Sequence, residues 1–140
     1  MTLPRRPALR LYLATAGAVL LGQGGASLLV RAAGRDPHAT SRLLSDPAHA
    51  AIHVVWGLVL LGVLAVRAGE TAEARVALAF GAFYVGLLVL GLTVHHPFGL
   101  MIDGKENAFH AVVGPAALVL GLRALLRGQR APAGQGVQAR

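Results

Sequence analysis

Long apolar runs separated by short charged segments constrain this chain more than any other feature of its sequence. One run, from Asp46 to Val66, reads DPAHAAIHVVWGLVLLGVLAV and carries no charged residue after the first. A helix that crosses a membrane needs about 20 consecutive apolar residues. Hydrophobic residues make up 55% of the chain and charged residues only 14%, whereas soluble domains have about a quarter charged. The pattern therefore predicts a polytopic membrane protein.

The predicted fold is all-α, with four transmembrane helices in one bundle. We expect helices at about residues 11–30, 47–66, 76–94 and 107–126, and a single membrane domain over residues 1–127. Asp46 and Pro47 indicate a helix start, because aspartate accepts hydrogen bonds from free backbone N–H groups and proline is pre-set for a first turn. Pro97 ends the third helix. Residues 128–140 lack core-forming side chains and are predicted to be a flexible cytoplasmic tail.

The distribution of basic residues predicts the orientation of the bundle. The side that holds both termini carries nine of them: Arg5, Arg6, Arg10, Arg67, Arg75, Arg123, Arg127, Arg130 and Arg140. The other side carries four: Arg31, Arg35, Arg42 and Lys105. Because basic loops stay inside, we predict that both termini are cytoplasmic. Twelve arginines against one lysine, beside abundant alanine and glycine, are typical of a GC-rich bacterium, so the predicted location is a bacterial inner membrane.

The net charge of +7 lies at the ends of the apolar runs and forms no basic stripe. Nucleic-acid binding requires such a stripe on a folded surface, so membrane lipids with anionic headgroups are the predicted partners. The chain has no cysteine, which excludes disulfides, iron–sulfur clusters and thiol chemistry.

Two pairs of helices share a pattern of small residues. His53, Gly57 and Leu61 have the same spacing as His110, Gly114 and Leu118. The first and third helices also align, and the hypothesis is a tandem repeat of two helices about an axis along the membrane normal. Small residues allow helices to approach closely. The predicted packing residues are Gly17, Gly22, Gly57, Gly81, Gly86 and Gly114, and these faces also suit a homo-oligomer or a larger membrane complex.

The segment Asn107-Ala108-Phe109-His110, followed by Gly114, resembles a motif in a family of small four-helix bacterial membrane proteins of unknown function. Members of that family carry an Asn-x-x-His-x-x-x-Gly pattern at the start of a membrane helix. The second helix keeps His53 and Gly57 but has Ala50 at the Asn position. The resemblance extends over residues 11–126, and it implies a fold and a location but no activity.

The six histidines all fall on the predicted outer side, and this clustering is the main functional signal. They are His38, His49, His53, His95, His96 and His110. Because His49 and His53 are four residues apart, they share a helix face, and we expect His53 to face His110 across the bundle. An ionisable side chain within a membrane span is a functional candidate by default.

Three interpretations of these histidines are open. In the first, they only form hydrogen bonds between helices. In the second, His53 and His110 bind a tetrapyrrole such as haem b. In the third, they form a proton site or a metal site for a divalent ion. The candidate metal ligands are His49, His53, His95, His96 and His110, with Asp103 or Glu106 to complete the site.

Catalysis is not predicted, because we expect no carboxylate within a span and find neither a nucleophile elbow nor a phosphate loop or dinucleotide fingerprint. The predicted function is that of a non-enzymatic structural or accessory subunit of a membrane complex, without a cofactor. The alternative is an outward-facing histidine site that binds haem or a metal ion.

Overall fold

A computed structural model of the chain describes residues 7–40, 45–94, 100 and 102–129, apart from the side chains of His38 and Thr40. Within these residues the fold is all-helical, and the helices are α1 (Pro7–Ala32), α2 (Pro37–Thr40), α3 (Pro47–Ala65), α4 (Glu70–Thr93) and α5 (Gly104–Gln129). All except the short α2 are long and apolar enough to cross a membrane. The predicted fold class, a bundle of four transmembrane helices, is confirmed.

Three of the long helices begin before the apolar runs that define them in the sequence. The cause is visible in α5, which begins at Gly104 rather than near Asn107. Asp103 accepts hydrogen bonds from the amides of Lys105 and Glu106, at 2.8 and 3.2 Å, while the Glu106 carboxylate accepts one from the amide of Asp103, at 2.9 Å. This capping box satisfies the free N–H groups of the first turn. Hydrogen bonding with Glu106, and with Lys105, lowers the pKa of Asp103 well below its usual range.

The start of α3 agrees with the prediction. The side chain of Asp46 accepts hydrogen bonds from the amides of Ala48 and His49, at 3.0 and 3.1 Å, and Pro47 occupies the first turn. Asp46 therefore caps α3 as Asp103 caps α5. Both helix starts lie at the same end of the bundle, because His49 of α3 contacts Glu106 of α5. The starts of α1 and α4 lie at the other end, where Arg10 pairs with Glu73.

The long helices pack as two antiparallel pairs, α1 with α3 and α4 with α5. In each pair, the two helix backbones come into close contact at a glycine. A Cβ atom added at Gly57 would lie 2.8 Å from the backbone nitrogen of Leu21 and 3.0 Å from the carbonyl oxygen of Gly17. A Cβ atom added at Gly114 would lie 3.0 Å from the backbone nitrogen of Val85 and 3.3 Å from the carbonyl oxygen of Gly81. All four distances are shorter than ordinary van der Waals contact. The two backbones can therefore approach this closely only where the residue is glycine and has no side chain.

The predicted packing glycines fall into two groups. Gly17 and Gly81 face leucine side chains of the paired helix, Leu61 and Leu118, whose Cγ atoms would lie 2.9 and 2.8 Å from an added Cβ. Gly22 and Gly86 have nothing within 4 Å of an added Cβ. Contacts within the described chain therefore do not use these last two, and their predicted packing role stays a prediction.

The outer surface of the bundle is apolar. Large aliphatic side chains with relative exposures of 68–74% occur on all four long helices or next to them: Leu11, Leu29, Val66, Leu92 and Val112. Soluble proteins rarely expose such extended apolar surface. Contact with lipid hydrocarbon accounts for it, and the chain is a multi-pass membrane protein.

The glycine contacts predict a difference between two alanine substitutions. Gly57→Ala places a methyl group against the backbone of α1, and because a backbone cannot rotate away, we expect a loss of about 1–3 kcal/mol in the free energy of unfolding. Gly22→Ala is the matched control and should leave stability unchanged or raise it slightly, because alanine favours helix by up to about 1 kcal/mol. Thermal unfolding in detergent measures both, and equal melting temperatures would contradict the packing.

Candidate metal centre

Three histidines meet inside the end of the bundle at which α3 and α5 begin. His49 and His53 lie one turn apart on α3, and His110 lies on α5. Each side chain has a relative exposure of 1% or less. One ring nitrogen from each histidine lies within 4.8 Å of the other two. The structure thus brings together three of the predicted candidates, whereas His95 and His96 lie outside the described residues.

Aromatic rings surround this histidine cluster. The centroid of His49 lies 4.5 Å from that of His53 and 5.6 Å from that of His110. Tyr84, which is fully buried on α4, lies 5.1 Å from His110 and 6.1 Å from His53. Phe109 lies 5.9 Å from His53. Because aromatic side chains have stiff, well-defined orientations, this packing holds the imidazole rings in place.

A hydrogen-bond network on α1 orients His53. The Nδ1 atom of His53 is hydrogen-bonded to the side-chain oxygen of Gln23. The amide nitrogen of Gln23 donates to the hydroxyl of Ser45 at 3.0 Å, which fixes the oxygen toward the histidine. Because an amide oxygen can only accept, Nδ1 of His53 carries the proton and Nε2 keeps its lone pair. Ser27 supports the network by accepting from the amide of Ser45 at 3.1 Å.

Several polar atoms at the cluster have no hydrogen-bond partner among the described residues. They are Nε2 of His53, both ring nitrogens of His110 and the hydroxyl of Tyr84. Buried polar groups are almost always hydrogen-bonded, and an exception requires an explanation such as a bound ion. The lone pair of His53 and one nitrogen of His110 are therefore available to a ligand.

Two carboxylates flank His49 on the outer edge of the cluster. The Nδ1 atom of His49 lies 4.0 Å from a carboxylate oxygen of Asp46 and 4.0 Å from one of Glu106. Both carboxylates are mostly buried, with relative exposures of 13% and 12%. They supply negative charge next to three side chains that are uncharged in their metal-binding form.

A second polar contact lies at the opposite end of the bundle. Glu73 on α4, with a relative exposure of 1%, forms an ion pair with Arg10 on α1. The expectation that no carboxylate lies within a span is wrong, since α4 begins at Glu70 and includes Glu73, and α5 begins at Gly104 and includes Glu106. Helix α4 extends beyond its apolar run because the buried acid is neutralised by the arginine, which itself remains partly exposed.

Sequence reasoning missed Gln23, Ser27, Ser45 and Tyr84 as parts of the site. In the sequence, Gln23 and Ser27 only interrupt an apolar run, and Tyr84 is one aromatic residue among several. One signal was present, because Gln23 and Ser27 are four residues apart and so share a helix face. Nothing in the sequence showed that this face meets His53.

The chain matches no protein-family model, no curated protein and no solved structure. The arrangement of its own residues is therefore the basis for any statement about function.

The buried ion pair predicts a non-additive pair of substitutions. Arg10→Leu removes the partner of a buried carboxylate, and we expect it to lower the free energy of unfolding by about 3–5 kcal/mol. The double variant Arg10→Leu/Glu73→Leu removes both charges and should recover most of that loss. Thermal unfolding of both variants in detergent tests this, and a double variant as unstable as Arg10→Leu would contradict a direct pairing.

Proposed function

We propose that this protein is a small membrane-embedded metal-binding protein, and that His49, His53 and His110 hold a transition-metal ion. The observation that carries the proposal is the convergence of three fully buried imidazoles, with one nitrogen of each within 4.8 Å of the others. A purely structural cluster would be expected to pair its nitrogens, yet Nε2 of His53 and both nitrogens of His110 have no hydrogen-bond partner among the described residues.

The geometry suits an ion of the zinc type. Zinc binds histidine nitrogen at about 2.0–2.1 Å in a tetrahedron, which places ligand atoms about 3.3 Å apart. The three nitrogens lie within 4.8 Å of one another, so small side-chain rotations bring them to this separation. Imidazole ligands suit zinc, copper, iron and nickel, and the histidines alone do not select among these.

The Gln23 network supports the same proposal. Histidines that bind a metal usually donate their second N–H to a carboxylate, carbonyl or water, which fixes the tautomer and the ring orientation. The hydrogen bond from Nδ1 of His53 to Gln23 has this form. It leaves Nε2 of His53, on the far side of the ring, as the nitrogen that would bind the metal.

A tetrapyrrole suits these surroundings less well than an ion. Ligation of haem by His53 and His110 requires a flat slot beside both imidazoles. Tyr84 and Phe109 already lie against His53, at ring-centroid separations of 6.1 and 5.9 Å. A single ion needs no such slot.

The metal proposal predicts a stoichiometric ion that depends on the cluster. Protein purified in detergent and loaded with Zn²⁺ should retain about one ion per chain, measured by elemental analysis after removal of free metal, because three convergent imidazoles supply most of a zinc coordination shell. His53→Ala/His110→Ala should lose the ion. Gln23→Leu should weaken Zn²⁺ binding by about 10–100-fold, as substitutions next to metal ligands do.

Leu60→Ala is the control for this experiment. It removes a fully buried leucine of α3 and lowers stability without removing a ligand, so it should retain zinc. Wild-type protein that binds no zinc or other transition metal would contradict the proposal. That result would favour the alternative of a structural or accessory subunit, in which the histidines serve packing alone. A Soret band in the purified protein would instead favour haem.

We also infer that both termini are cytoplasmic and that the histidine cluster lies near the outer face of a bacterial inner membrane. The excess of arginine at the end that holds the termini supports this orientation. Self-association, or assembly into a larger complex, stays a prediction of the sequence.

The orientation predicts which introduced cysteines are accessible from outside. The chain has no cysteine of its own, and Ala33 and Ala68 are exposed residues at opposite ends of the bundle. A membrane-impermeant maleimide added to intact cells should label Ala33→Cys and not Ala68→Cys, because only the first lies outside. Both variants should be labelled after lysis, which shows that each thiol is reactive. The reverse pattern in intact cells would place the cluster at the cytoplasmic face.

We further infer that the two helix pairs arose by duplication. The contacts of Gly57 with Gly17 and Leu21 have the same form as those of Gly114 with Gly81 and Val85. Residues that correspond in this way are 57 positions apart on α3 and α5, and 64 positions apart on α1 and α4. The agreement of contacts supports the repeat more strongly than the similarity of apolar sequences alone.

A further inference from the structure

The correspondence between α3 and α5 extends to the capping residues and to residues of the histidine cluster near the starts of both helices. Asp46 and Asp103, the caps of the two helices, are 57 positions apart, and so are His53 and His110. The same spacing relates His49 to Glu106. The amide of each of these last two residues donates to its capping aspartate. His49 and Glu106 therefore occupy equivalent positions at the starts of equivalent helices.

These equivalent positions also meet in space. One carboxylate oxygen of Glu106, Oε1, lies 4.0 Å from Nδ1 of His49. The other oxygen, Oε2, accepts the hydrogen bond from the amide of Asp103 at 2.9 Å. The capping contact thus holds one oxygen of the carboxylate in place, and the other oxygen, Oε1, lies beside Nδ1 of His49. The side chain of Glu106 is largely buried, so water competes weakly for that oxygen.

We propose that Glu106 is the fourth ligand of the metal ion, through Oε1, and that the site is completed by two equivalent pairs, His53 with His110 and His49 with Glu106. This inference rests on the proposed function, since it assigns a further ligand to the same ion. A shift of less than 1 Å would bring the His49 and Glu106 atoms to the separation of about 3.3 Å that a tetrahedral site needs.

The ligand set of three imidazoles and one carboxylate narrows the class of ion. Hard carboxylate oxygen disfavours Cu⁺, which prefers thiolate and thioether ligands, and favours divalent ions such as Zn²⁺. A divalent ion bound only by neutral imidazoles would carry its full charge into a low-dielectric environment. The carboxylate of Glu106 neutralises half of the charge of the ion. The carboxylate of Asp46 is close enough to offset the remaining charge, since its Oδ2 atom lies 4.0 Å from Nδ1 of His49.

The test compares Zn²⁺ affinity and the visible spectrum of bound Co²⁺ in wild-type protein, Glu106→Gln, Glu106→His and Glu70→Gln, all purified in detergent. Glu106→Gln should weaken Zn²⁺ binding by at least about 10-fold and alter the Co²⁺ absorption, because a charged ligand is lost. Glu106→His supplies a nitrogen at the position that is equivalent to His49, so it should retain Zn²⁺ while shifting the Co²⁺ bands. Glu70→Gln makes the same chemical change at the start of α4, at the opposite end of the bundle, and should bind like the wild type.

The outcomes separate this inference from the function on which it rests. If wild-type protein binds zinc and Glu106→Gln matches its affinity and its Co²⁺ spectrum, the fourth-ligand assignment is overturned and the three-histidine site stands. If wild-type protein binds no metal, both are overturned. If Glu106→Gln does not fold, the Co²⁺ spectrum of Glu106→His decides: shifted bands support Glu106 as a ligand, and an unchanged spectrum rejects it.

Discussion

The close approach of paired helices at glycine is the contact on which the rest of this structure depends. Lipid is as apolar as a leucine side chain, so helices in a membrane associate through tight packing and polar contacts rather than through hydrophobic burial. At Gly57 the absence of a side chain allows α3 to touch the backbone of α1. His53 lies one turn from this contact, and it reaches Gln23 because the two backbones are so close. Gly114 stands in the same relation to His110 on α5. The glycines thus set the distance between each histidine-bearing helix and its partner helix.

Most of the features that the sequence predicted depend on neighbouring residues, and the exception, the meeting of His53 and His110, came from the equal spacing of residues on their two helices. Hydropathy located the four helices, and the Asp46-Pro47 pair located the start of α3, because both signals lie within one turn or one run. The spacing of His49 and His53 placed them on one face for the same reason. The contact of Gln23 with His53 joins residues 30 positions apart, and that of Arg10 with Glu73 joins residues 63 positions apart. Apolar helices of similar composition can pair in several rotations, so no local pattern could identify these partners.

Two electrostatic effects oppose each other at the histidine end of the bundle, the positive ends of two helices and the negative charge of nearby carboxylates. Two helices begin there, and a helix start carries about half a positive charge, which disfavours a cation nearby. Asp46 and Asp103 counter this effect, since each carboxylate accepts hydrogen bonds from two amides of its first turn. Glu106 adds a further negative charge at the cluster itself. With the helix starts neutralised by their caps, the carboxylates of Asp46 and Glu106 next to His49 favour a cation there.

Three further polar features of the bundle lie where the equivalent helices differ. On α1 and α4, Gln23 corresponds to Leu87 and Leu20 corresponds to Tyr84. The glutamine orients one histidine, and the tyrosine packs against another. At the far end, Glu73 stands where α1 has Leu9. If packing were the only requirement, the two halves could have the same apolar residues at these positions, just as both have a glycine at Gly57 and Gly114. Each of these differences instead introduces a buried polar group, which costs free energy in a membrane unless it is satisfied. The cost is met at Gln23 and Glu73 by partners within the chain, whereas at Tyr84 no described residue supplies one.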